Sequence, residues 1–330
     1  MLHIMKDDYL KGFVQEIIEL NDDYDGKTYA VLVSKKVKLK TKKAVLYIHG
    51  FADYYFNTQL ADTYTDAGYN FYALDLRKYG RSLMDHQHPN LCKDLSEYFE
   101  EIDKAVSMIR DRDEHTTFIL NAHSTGGLIS SLYAHERRNK NIIDGLILNS
   151  PWFDINESWL IKNIVLKFIY VIGKFFPTAI VPKGLDSNYP RSVHKNYNVK
   201  EKKENNVYEA GFWDFNTHWK SVEKFPVYMG FLRAVRKGQK KLQSGLDIQC
   251  PVLLLCSDKT GKRTKNMAPH YFNSDCVLNP KHMLKYLSGI GENTTHVVIE
   301  DGLHDLAVSP KPVREKYFKE MILWLKTHKQ

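Results

Sequence analysis

The stretch from Thr116 to Asn139 constrains the fold more than any other part of the chain. Thr116-Thr117-Phe118-Ile119-Leu120-Asn121 is a short, β-rich apolar run, and Ala122-His123-Ser124-Thr125-Gly126-Gly127 follows without a spacer. Leu128, Ile129, Leu132 and Tyr133 then recur at helical spacing. Arg137 and Arg138 in a last turn, with Asn139 just beyond, are helix stop signals. The stretch therefore reads as strand, tight turn and helix, with one serine at the turn, which is the context of a nucleophile elbow. A serine held there projects its hydroxyl from the sheet edge. The backbone two residues to either side comes so close that only small side chains fit, and Ala122 and Gly126 stand at those positions. The helix opening at Thr125 aims free N–H groups and its positive dipole end at the serine. An ordinary N-cap serine would satisfy the same local pattern, so the rest of the chain has to decide.

Ala44-Val45-Leu46-Tyr47-Ile48 is a continuous apolar run, as a strand buried on both faces should be, and it ends in His49-Gly50-Phe51. Phe13–Leu20 and Lys27–Val33 read as two earlier strands around turn residues. A helix to Gly68, a strand over Asn70–Leu76 and an amphipathic helix from Leu95 to Ile109, its apolar residues spaced three and four apart, come before the serine turn. Ile142–Leu148 follows it as a strand. Strands return at Pro251–Cys256 and His296–Ile299, and a closing helix carries Phe318, Met321, Ile322 and Leu325. Strands alternating with helices argue for a mostly parallel α/β sheet. Ligands of such sheets bind beyond the carboxyl ends of the strands, where His49 and Ser124 both fall.

The alternation stops between about 151 and 246, which reads as an inserted, mainly helical cap on a core made of 1–150 and 247–330. Trp159–Phe176 is a mostly apolar helix with one polar stripe, Asn163, Lys167, Tyr170 and Lys174. It suits either the core or an apolar face over a greasy pocket or a lipid surface. Its lysines make it a poor membrane span. Six lysines between Lys35 and Lys43 read as a solvated connection or a blunted edge strand. A second basic run lies at Lys237–Lys241. The net charge of +8 suits an anionic lipid surface. Separated basic runs without a recognition motif speak against nucleic acid. The four cysteines form no metal or redox spacing, so reduced thiols and a cytoplasmic setting are expected.

Taken in order, Tyr47-Ile-His-Gly-Phe51, Ala73-Leu-Asp-Leu-Arg-Lys-Tyr-Gly-Arg-Ser82, Ala122-His-Ser-Thr-Gly126, Ser274-Asp-Cys-Val-Leu278 and Asp301-Gly-Leu-His-Asp305 resemble the α/β-hydrolases. The branch is that of monoacylglycerol lipases, lysophospholipases and serine aminopeptidase-like hydrolases. The resemblance implies an eight-stranded, mostly parallel sheet with the cap inserted after the sixth strand. It also implies a serine, acid, histidine order. Ser124 is then the nucleophile and His304 its base. Asp275 is the expected acid on the motif match, with Asp258, directly after a strand, as the alternative. The N–H groups of Phe51 and Thr125 are the expected oxyanion donors. This chemistry needs no metal or cofactor. The expected substrate is a small acyl ester of monoacylglycerol or lysophospholipid type, with aminopeptidase activity or ligand binding without turnover as alternatives.

Overall fold

The computed structural model describes residues 10–157, 166–181, 188–196, 209–223, 225–264 and 266–328. Eight strands make one sheet: β1 (Val14–Glu19), β2 (Tyr29–Lys35), β3 (Lys43–Ile48), β4 (Asn70–Asp75), β5 (Thr117–His123), β6 (Gly145–Asn149), β7 (Val252–Ser257) and β8 (Thr294–Ile299). Their spatial order is β1-β2-β4-β3-β5-β6-β7-β8. β1 pairs antiparallel with β2, and β2 antiparallel with β4. From β4 onward every neighbour is parallel.

Alternation along the strands feeds two cores. Ala44, Leu46 and Ile48 of β3 face one layer, and Val45 and Tyr47 face the other. The first layer is closed by α2 (Phe99–Ser107), α3 (Thr125–Glu136) and α7 (Pro280–Leu287), and the second by α1 (Thr58–Asp66) and α8 (Lys311–Thr327). Both faces are thus covered, which is why the central strands carry unbroken apolar runs. The register aligns Ile48 with Ala122, His123 with Asn149, Asn149 with Leu255 and Ser257 with Ile299. The loops after these five strands therefore emerge along one edge.

The periodic stretch from Leu95 to Ile109 is helical throughout, with tighter winding at its start and wider winding at its end. Asp94 and Glu97 form a reciprocal capping box at the start, Leu95–Tyr98 is a tighter first turn, and α2 continues directly from it. A wide turn over Met108–Arg112 follows α2. The lysine-rich run is the connection between β2 and β3. Its cations meet acids at the surface, Lys36 with Asp113 at 2.6 Å and Lys42 with Glu114 at 3.0 Å.

Between β6 and β7, α4 (Leu166–Phe175), α5 (Tyr189–Ser192) and α6 (Met229–Gln243) add no strand to the sheet. α4 lies close on α6 because Gly173 has no side chain: a Cβ there would sit 2.5 Å from the Met229 carbonyl oxygen. The second basic run lies on α6, where Lys237 pairs with Asp94 and Lys241 with Glu136, tying α6 to the sheet's helical layer. Trp159, Asn163, Tyr197 and Tyr208 fall outside the described residues. Among those described, no helix is long and apolar enough to cross a membrane.

Candidate active site

Ser124 sits at the junction of β5 and α3 with φ +53° and ψ −117°, a conformation that side chains other than glycine rarely adopt. The turn is held from both sides. The Ser124 N–H donates to the Asn149 carbonyl at 3.0 Å, and its own carbonyl accepts from Trp152 N–H at 2.9 Å. A Cβ on Gly126 would lie 2.3 Å from the His49 carbonyl oxygen, so the position admits only glycine. The closeness that the elbow pattern demands is therefore visible as backbone against backbone.

His304 follows β8 in a loop that packs over the same edge. Its Nε2 lies 2.9 Å from Ser124 Oγ and its Nδ1 2.9 Å from Asp275 Oδ2. All three residues are buried. A carboxylate can only accept, so in this arrangement the ring's Nδ1–H donates to Asp275 Oδ2. That leaves the Nε2 lone pair to accept the Ser124 hydroxyl. The other oxygen, Asp275 Oδ1, accepts from the N–H groups of Val277 and Leu278, both at 2.8 Å. The acid loop is strapped to the exit of β7 by Gly261 N–H to Asp275 O at 2.8 Å and by Asp275 N–H to Lys259 O at 3.1 Å. Asp258, the alternative acid, is committed elsewhere. Its Oδ1 accepts from Asp301 N–H at 3.0 Å, and Lys259 stands 3.6 Å from Oδ2.

His49 does not face the serine as a base. Its Nδ1–H donates to Gly50 O at 2.8 Å and its Nε2 accepts from Leu76 N–H at 3.1 Å, tying the ends of β3 and β4 together. Burial lowers its pKa and keeps the ring neutral. Arg77 and Arg81 are held by Glu101 and Asp75 at 2.7 Å each, beneath the same edge.

Residues 40–259, more than half of the chain, match a family of hydrolases described as Serine aminopeptidase, S33. The chain belongs to this α/β-hydrolase family. A comparison with curated proteins finds no match. Among solved structures, a soluble variant of monoglyceride lipase from Saccharomyces cerevisiae in complex with a substrate analogue is 18% identical, with a TM-score of 0.67 over 99% of both chains. A monoacylglycerol lipase from Paleococcus ferrophilus is 18% identical, with a TM-score of 0.64 over 90% of this chain and 99% of that one. A carboxyl esterase from Bacillus coagulans in complex with glycerol is 12% identical, with a TM-score of 0.62 over 95% and 98%. At these identities the likeness is one of fold.

In this α/β-hydrolase a cavity of about 220 Å³ opens over Ser124 and His304. Phe51, Trp152, Ile155, Val227, Phe231 and Leu232 supply its apolar wall, with Phe51 stacked on Phe231 at 4.3 Å. Thr125 borders it too. Thr125 opens α3, where a helix has no carbonyl of its own for the first N–H groups. Sequence reasoning missed four contributors. Asn149 donates to Asp305 Oδ1 at 2.7 Å and accepts from Leu306 N–H at 3.3 Å, fixing the histidine loop to β6. Tyr189 meets His304 edge-on at 5.6 Å and accepts from Asp305 N–H at 3.0 Å. Asp53 and Lys220 form a buried ion pair in the cavity wall. No periodic signal marks Tyr189 or Lys220, because the segments bearing them are short and irregular. Asp53, His123 and Asp305 gather within 4.8 Å, but the cation already paired in that group is the Lys220 ammonium. The four cysteines are unpaired, and burial pushes Cys276, beside the acid, up to about 11.

Proposed function

We propose that this protein is a serine hydrolase that cleaves carboxylic esters through an acyl-enzyme. The observation that carries the reading is the unbroken chain from Ser124 Oγ through His304 to Asp275, 2.9 Å at each link, at the floor of a cavity with an apolar wall. Ser124 attacks the acyl carbonyl while His304 Nε2 takes its proton, and the Asp275 carboxylate holds the ring and offsets the imidazolium charge. The N–H groups of Thr125 and Phe51 receive the developing oxyanion. His304 then returns the proton to the leaving alkoxide, and water repeats the sequence on the acyl-enzyme.

The apolar wall suits the acyl chain of a lipid-like ester, of monoacylglycerol or lysophospholipid type. The solved structures named above, two of them monoglyceride or monoacylglycerol lipases, support that choice. On this reading the region 151–246 is a cap. α4 exposes Phe168, Val171 and Phe175, at 68%, 58% and 67%, beside exposed Lys167 and Lys174. That face suits peripheral contact with an anionic bilayer.

The family's aminopeptidase members make amide cleavage the second reading. A peptide's amino terminus needs a free carboxylate to hold its ammonium. The two acids in the cavity wall, Asp53 and Glu157, are already paired with Lys220 and Arg263, which favours esters. Turnover of p-nitrophenyl esters of two to sixteen carbons against aminoacyl p-nitroanilides separates the readings. Ester cleavage that Ser124→Ala abolishes is expected. Cleavage of the anilides alone would reverse the assignment.

A further inference from the structure

Asp53, two residues beyond the Phe51 N–H, is 3% exposed, and Asp305 follows His304 directly and is 4% exposed. Their carboxylates lie within 4.8 Å of one another and of a His123 ring nitrogen. Two desolvated anions so close repel each other. Each has partners. Asp305 Oδ1 accepts from Asn149 Nδ2 at 2.7 Å and from Ala307 N–H at 3.0 Å, which are neutral dipoles. Asp53 Oδ1 accepts from Tyr54 N–H at 2.9 Å and from the Lys220 ammonium. Lys220 is itself buried, 6% exposed, and its ammonium also lies 5.0 Å over the Phe56 ring.

The element that brings Lys220 here is clamped to both catalytic loops. Asn216 N–H donates to Tyr54 Oη at 2.8 Å, and Trp219 meets the Tyr54 ring edge-on at 5.3 Å. Trp213 Nε1 donates to Val308 O at 2.8 Å, beyond the histidine loop. The segment 209–223 thus joins the turn carrying Phe51 to the loop carrying His304.

We propose that Lys220 is a positioning residue of the ester hydrolysis: its ammonium neutralises Asp53 beside the oxyanion donor and base, and anchors the turn from which Phe51 donates. The inference rests on the serine-hydrolase reading. Without that charge, Asp53 opposes the negative charge growing on the tetrahedral oxygen. It also favours proton uptake by the imidazole that has to be neutral to act as base. The groups facing Asp53 are His123 at the end of β5, His49 at the end of β3 and Lys220 from the insertion. Asp305 and His304 face His123 from the loop after β8. Tyr189 faces the same nest from α5, and Asp275 lies behind it.

The test is the pH profile of p-nitrophenyl butyrate hydrolysis by wild type, Lys220→Met, Asp53→Asn and the double variant. Lys220→Met is expected to lower kcat/KM at pH 7 by about 10- to 100-fold, chiefly through kcat. Its acid limb moves upward by about one pH unit. The double variant, which removes both charges, regains most of the rate and returns the limb toward wild type. Should Lys220→Met fail to fold, Asp53→Asn takes its place as the single variant. It leaves an unpaired ammonium, so its limb moves downward, and the double variant restores it. A lesion that was merely structural would scale activity with the folded fraction and leave the limb in place. That result, or a double variant no better than the single ones, overturns the inference. Wild-type turnover abolished by Ser124→Ala leaves the esterase reading standing in either case. Turnover that survives Ser124→Ala sinks both.

Discussion

Asp275→Asn tests the geometry of the base most sharply. The Val277 and Leu278 N–H groups both donate to Oδ1 at 2.8 Å, so they hold an oxygen at that position. An asparagine there keeps its carbonyl on those two donors and turns its amide NH2 toward His304 Nδ1, 2.9 Å from the present Oδ2. An NH2 group donates and cannot accept. The imidazole must then move its proton to Nε2, the atom that faces Ser124 Oγ at 2.9 Å. The base presents a proton where it needs a lone pair, and the carboxylate that offsets the imidazolium is gone. The expected loss is on the order of 10³- to 10⁴-fold in kcat, about 4–5.5 kcal/mol at roughly 1.36 kcal/mol per decade. Folding is little affected, because the backbone hydrogen bonds survive. Asp258→Asn should change kcat less than about threefold, since an amide oxygen can still accept from Asp301 N–H. The assay is ester turnover with urea unfolding of each variant as the folding control. An Asp275→Asn enzyme within about tenfold of wild type would refute the reasoning.

Other perturbations have equally definite outcomes. Gly126→Ala places a methyl 2.3 Å from the His49 carbonyl and should lose about 1–3 kcal/mol in urea unfolding, with kcat falling further than stability explains. Burial holds the His123 pKa down to about 4 from an ordinary 6.5. The unfolded chain therefore binds the extra proton between those values, so stability is full above about pH 6.5 and falls toward pH 4. The loss is on the order of 3 kcal/mol, and unfolding curves of His123→Gln should show a shallower slope in that window. Phe168→Ser/Phe175→Ser on the exposed face of α4 should weaken co-sedimentation with phosphatidylglycerol vesicles at least tenfold and leave turnover of a short soluble ester unchanged. Equal sedimentation would remove the membrane contact.

The fold was readable in the sequence because its signals are local. Continuous apolar runs such as Ala44–Ile48 suit strands covered on both faces, and glycine at 126 suits a turn where backbones touch. His304 was readable because it follows a strand at the same edge. Asp275 was not separable from Asp258 by position: both follow β7, and apart from His304 the donors to the Asp275 carboxylate are backbone N–H groups, which any residue but proline possesses. Lys220 and Tyr189 were unreadable for a different reason. Lys220 lies on a segment that Trp213 and Trp219 pack against the core loops, Tyr189 joins the same buried cluster from the short α5, and segments this short or irregular carry no period. The helix expected over Leu95–Ile109 is present as one unbroken helical run with its five apolar residues buried; the tightening of its first turn and the widening of its last leave that spacing unchanged and so left no signal.

If Ser124 is a nucleophile activated by His304, it reacts with an electrophilic phosphorus reagent and does so through that base. Intact-mass and peptide mapping after treatment with a fluorophosphonate tests this most directly. One adduct is expected, on Ser124, forming at least a hundredfold more slowly in His304→Ala. A wild-type protein that stays unlabelled, or an adduct on any other residue, would contradict that role.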